Sequence, residues 1–87
     1  MKRRLAHIQV LLQTVENQAD SAGIKNKELL KAFLETPSGQ VAEVEQVDYA
    51  LSLCLAEGYL VGVKLTNNLD PGVQLTWKGH DYLEANR

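Results

Sequence analysis

At Gly58 the hydrophobic rhythm of the chain changes from a repeat of three to four residues to a repeat of two, and at Thr76 it changes back. A period near 3.6 marks helix and a period of two marks strand. The chain therefore has to fold as helices, then a short run of strand, then a last helix. Leu5, Ile8, Leu12, Val15 and Ala19, with Leu11 beside them, form one apolar stripe and predict a helix from about Arg3 to Gln18. Asn17, Asp20, Ser21 and Gly23 end it. Asn26 is placed to cap a second helix to about Glu35, with Leu29, Leu30, Phe33 and Leu34 as its core face. Thr36-Pro37-Ser38-Gly39 reads as a break. A third helix, about Glu43 to Glu57, places Val44, Val47, Ala50, Leu51, Cys54 and Leu55 on one side and Glu45, Tyr49, Ser52 and Ala56 on the other. Asp48 lies at the edge of that polar side, and Gly58 supplies a left-handed cap.

After Gly58, Val61, Val63 and Leu65 alternate with Gly62, Lys64 and Thr66, and Val73 and Leu75 alternate with Gln74 and Thr76. Asn67, Asn68, Asp70, Pro71 and Gly72 between them are turn residues, so a hairpin pairing Leu60–Thr66 with Gly72–Thr76 is predicted. Thr76 then caps a short helix, in which Trp77 and Tyr82 are expected to close the core against the hairpin. The order helix, helix, helix, hairpin, helix predicts a mainly helical α+β domain. It is the winged helix-turn-helix arrangement, with three helices, a β-hairpin wing and a short C-terminal helix. At 87 residues the chain has room for one such domain, covering 1–87.

Several classes of function find no support. Cys54, His7 and His80 are far apart in sequence, so neither a nucleophile–base pair nor a zinc-ligand spacing is present. Asp70-Pro71-Gly72 lacks the oxygen series of a calcium loop, and the six glycines stand singly rather than in a phosphate-cradling loop. Glu43 and Glu45, two apart, diverge on a helix. The expectation is a protein that is not an enzyme, with no cofactor, metal or small-molecule substrate. No apolar run is long enough to span a membrane, and the stretch after Met1-Lys2-Arg3-Arg4 is broken by His7, Gln9 and Gln13, which argues against an export signal. A single cysteine fits a reducing cytoplasm.

Charge is distributed unevenly around a net of −2. Six of the nine basic residues lie at or before Lys31, and none falls between Ala32 and Val63, a stretch carrying Glu35, Glu43, Glu45, Asp48 and Glu57. Two partner classes follow. As a DNA-binding or transcription-regulating module, the chain would offer Gln46, Tyr49 and Ser52 from its recognition helix to base edges or phosphates. Lys25, Lys27, Lys31, Lys64 and Lys78 would meet phosphates. The acidic third helix opposes that reading and favours the alternative, a protein-interaction or dimerisation module. There Tyr49 would be the aromatic anchor, with Val10 and Leu53 as further apolar contacts. DNA is placed first, because winged helices so often bind it.

Two segments carry a resemblance. Leu55-Ala56-Glu57-Gly58-Tyr59-Leu60 and Leu75-Thr76-Trp77-Lys78-Gly79-His80-Asp81-Tyr82-Leu83 resemble the junctions on either side of the hairpin in winged-helix proteins. With the Met1-Lys2-Arg3 start and Val47-Asp48-Tyr49-Ala50-Leu51, the chain is similar to a bacterial and phage family catalogued as domain of unknown function 2513. It departs from that family's pattern at Ala50, where a histidine is favoured, and at Arg4, where an acidic residue is. The resemblance implies a winged-helix fold and a prophage-like context, and no activity.

Overall fold

In the computed structural model, residues 5–19, 22–40, 42–65 and 70–86 are described. Five helices and three strands follow in the order α1 (Leu5–Gln18), β1 (Ile24–Lys25), α2 (Asn26–Leu34), α3 (Pro37–Gln40), α4 (Val44–Glu57), β2 (Leu60–Leu65), β3 (Asp70–Leu75) and α5 (Trp77–Ala85). The fold is α+β and mainly helical, with one antiparallel sheet in the order β1-β3-β2.

The middle of the stripe read from the first helix is buried: Ile8, Leu11, Leu12 and Val15 are covered, joined by His7 and Thr14, while Leu5 at its start is 56% exposed and Ala19 is half-buried. His7 presents its ring edge-on to Phe33 of α2 at 5.9 Å, and the Thr14 hydroxyl donates to the Val10 carbonyl at 2.7 Å. Leu29 and Phe33 of α2, Val47, Ala50 and Cys54 of α4, Ile24, Leu60, Val73 and Leu75 of the sheet and Leu83 of α5 complete one core. Val44 and Leu55, expected on the buried side of α4, are instead 49% and 40% exposed. At about 100° per residue the two share one edge of the stripe, turned about 100° from the buried row of Val47, Ala50 and Cys54.

Asn26 does not cap α2. Lys25 occupies the N-cap position without a side-chain cap, and Asn26 is the first helical residue, its buried side-chain oxygen lacking a partner. The expected break at Thr36–Gly39 contains the one-turn helix α3. Proline is well placed there at the first helical position, where no N–H is needed. The Thr36 hydroxyl donates to Phe33 O at 2.6 Å and accepts from Gly39 N–H at 3.0 Å, tying α3 to the end of α2. A side chain at Gly39 would collide with the Phe33 carbonyl.

Gly58 closes α4 at φ 81°, with Tyr59 N–H donating to Cys54 O and Gly58 N–H to Leu55 O. These are the paired bonds of a Schellman ending. The hairpin pairs Leu60 with Leu75, Gly62 with Val73 and Lys64 with Pro71, so it starts where the sequence placed it. Asp70, Pro71 and Gly72 belong to β3 rather than to the turn, and the expected turn positions Asn67 and Asn68 lie outside the described residues. The core face of β2 is that of Leu60, not that of Val61 and Val63: Leu60 is buried and Val61 is 49% exposed. Cross-strand partners share a face, and Val73 and Leu75 decide which face of β2 goes inward. The two-residue β1 was not anticipated. Gly23, at φ 115°, lets it lie against β3, where a side chain would press on Val73 O at 2.7 Å.

Thr76 caps α5, its hydroxyl accepting from Gly79 N–H at 3.0 Å and directing its one proton between the Gly58 carbonyl at 2.5 Å and the Tyr59 carbonyl at 3.0 Å. Gly79 packs so closely on the Tyr59 carbonyl that a side chain could not enter. Tyr82, expected in the core, is half-buried against it, its ring tilted on that of Tyr59 with centroids 4.8 Å apart. Trp77 does not close the core. It is 85% exposed, and Leu83 fills the place expected for it.

Candidate nucleic-acid interface

Five lysines and three α4 residues were singled out by sequence, and the fold separates them. Lys25 ends β1 and Lys27 lies in the first turn of α2, and the two line a small hollow with Asn26 and Pro71. Lys64 of β2 pairs directly with Pro71, while Lys25 pairs with Gly72, the next residue of β3. Antiparallel alternation puts Lys64 and Pro71 on the core face of the sheet and Lys25 with Gly72 on the other. Three cations from three elements thus lie around the first residues of β3, at the turn end of the hairpin, with Lys25 and Lys64 on opposite faces of the sheet. They flank the amino end of α2, whose first amides carry no side-chain cap. Unpaired amides and the helix dipole make such an end favourable for an anion.

Lys31 and Lys78 are not part of this corner. Lys31 borders a depression with Gln18, Ile24, Glu28 and Glu35, with the two glutamates one turn away on either side of it. Lys78 donates to the Glu57 carbonyl at 2.8 Å, 5.3 Å from the centre of the Tyr59 ring. It completes the end of α4, as a cation near a helix C-terminus should.

On α4, Gln46 turns back to its own helix: its side-chain oxygen accepts from Glu43 N–H at 3.1 Å, the returning half of a capping box. Its fitness to read a base is reduced accordingly. Ser52 is exposed beside Glu45 and Asp48, and Tyr49 is half-buried rather than fully outward. Val10 and Leu53, weighed as interface residues, pack against the core. Between α2 and α4 runs a cleft of about 180 Å³ lined by Leu11, Leu29, Leu30, Val47 and Leu51, with Lys27 and Asp48 at its polar positions. The basic corner and the acidic outer face of α4 therefore adjoin at Lys27.

Cys54 is buried, and burial pushes its thiol up from 9.0 to about 12, so it is a neutral hydrophobe at physiological pH. Among the described residues no three metal-binding side chains come together, and no helix is long and apolar enough to cross a membrane. Comparison with family models, with curated proteins and with solved structures returned no match.

Proposed function

We propose that the chain is a winged helix-turn-helix module that binds duplex DNA as a regulator. It would grip phosphates with Lys25, Lys27 and Lys64 and present Tyr49 and Ser52 of α4 toward the bases. The observation that carries this reading is that Lys25 and Lys27 line one hollow with Pro71, the residue that Lys64 pairs with. Sequence scatters them across residues 25–64, yet the β1-β3-β2 order brings them to the amino end of α2 and the turn end of the hairpin. In a winged helix those are the two places that flank the recognition helix and meet the backbone of the duplex. The wiring supports the fold assignment: a short strand after the first helix pairs with the far strand of a hairpin that follows the last helix of the bundle. The segments resembling winged-helix junctions fall on the Schellman ending of α4 and the Thr76 lock between sheet and α5.

Magnitudes limit what this interface can do. Glu45 and Asp48 on α4 repel phosphates, so positioning rests on three cations and a helix end. Each neutralised phosphate contributes a slope of about −0.9 in log K against log salt. Three give about −2.7, and random-sequence duplex is then held at low ionic strength and released near physiological salt.

The test is an anisotropy titration of a labelled random duplex at low salt against three proteins. The Lys25→Glu/Lys27→Glu/Lys64→Glu variant is expected to lose binding, and Lys31→Glu to keep most of it. Equal losses in the two variants, or none in the triple one, would remove the corner from the interface.

A further inference from the structure

We infer that the outer face of α5 is a docking face for a cationic segment of a partner protein, separate from the DNA-facing corner. Trp77 is the starting point. It is 85% exposed on a chain with one tryptophan, and a side chain of that size gives up a large apolar area by staying in water. Trp77, His80, Asp81 and Glu84 stand at i, i+3, i+4 and i+7, so they form one face. All four are exposed and line a shallow hollow of about 270 Å³. Glu16 of α1 stands at its edge, its carboxylate 3.8 Å from His80 Nδ1.

An aromatic ring followed along a helix by two carboxylates, with a third beside them, is complementary to lysine or arginine. The lysine of α5, Lys78, is directed elsewhere, held on the Glu57 carbonyl. Arginine fits best: its planar guanidinium stacks on an indole while its fork pairs with a carboxylate. From Trp77 to Glu84 the helix advances about 10 Å at 1.5 Å per residue. An extended strand of about three residues spans that length, so a segment with basic residues at alternate positions sets one cation on Trp77 and the next by Asp81 and Glu84. The same carboxylates repel nucleic acid, which assigns this face to protein.

Trp77 is also the reporter, because tryptophan emission from this chain comes from that face alone. The full chain is titrated with a capped Arg-Gly-Arg-Gly-Arg peptide, and with a Gln-Gly-Gln-Gly-Gln peptide as control. The inference predicts a saturable change in emission with the arginine peptide and none with the glutamine peptide. It also predicts at least tenfold weaker binding to Asp81→Lys/Glu84→Lys, whose side chains are exposed and whose melting should match wild type. Binding by Lys25→Glu/Lys27→Glu/Lys64→Glu should be unchanged. No saturable change, equal response to both peptides, or full binding by the Asp81→Lys/Glu84→Lys variant would overturn it. So would an emission shift that follows protein concentration without peptide, which would mean that a second copy covers the face.

Discussion

Two residues show how far burial, rather than residue type, decides a role. Trp77 has the chemistry of a core residue and stands in water, whereas Cys54 has the chemistry of a nucleophile and lies sealed in the core. The helical wheel of α5 carries the signal for the first: Gly79 and Leu83, four apart, are its inner face, and Trp77 lies about 200° from Gly79. Size outweighed angle in the sequence reading. Trp77→Ala is accordingly expected to change stability by no more than about 0.5 kcal/mol, and Leu83→Ala to cost about 2–5 kcal/mol, as thermal melts would show. For Cys54 the sign of the pH effect is fixed by the raised pKa. The neutral thiol is favoured in the fold, so its contribution is complete below pH 9.0 and is lost as pH rises toward about 12. Wild type should lose melting temperature more steeply than Cys54→Ala on going above pH 9.0. At lower pH the thiol should react with an aromatic disulfide reagent only once the protein is unfolded.

At the scale of elements, stripes were legible and faces and short pieces were not. The three main helices, the hairpin and α5 follow from periodicity because each buries one continuous row. The face of β2 could not be chosen from its own residues, since Leu60 begins one alternating set and Val61 and Val63 form the other. Only pairing with Val73 and Leu75 settles it. β1 is two residues long and owes its place to Gly23 and to β3, and α3 is one turn stabilised by Thr36, so neither has a period to read. The Thr76 lock was legible as a cap, though its second bond to Tyr59 O was not. Thr76→Ala should cost about 1–2 kcal/mol, the upper part of the range for losing an N-cap. Gly79→Ala weighs two opposed effects. Alanine gains about 1 kcal/mol as a helix former, but its methyl meets the Tyr59 carbonyl, and overpacking costs about 1–3 kcal/mol. With backbone as the obstacle, net destabilisation is expected, read as a lower denaturant midpoint.

Across the whole molecule the charges divide into territories that the sequence only half reveals. The acidic stretch from Ala32 to Val63 was plain, but the five lysines looked equivalent until the sheet order sorted them. Lys25 and Lys27 line one hollow with Pro71, the strand partner of Lys64, while Lys31 sits among glutamates and Lys78 is bound to the end of α4. That sorting depends on β1 joining β3, the one pairing that periodicity could not supply. The basic corner, the acidic face of α4 and the tryptophan face of α5 then point to different partners. In the proposed DNA-binding mode three cations, and not a broad basic surface, contact the duplex. The salt dependence of binding to a random duplex counts them. Between about 50 and about 200 mM salt the affinity of the wild-type chain should fall about forty-fold, a slope near −2.7 in log K against log salt. A slope near zero, or no binding even at the lowest salt, would rule out the proposed three-lysine interface.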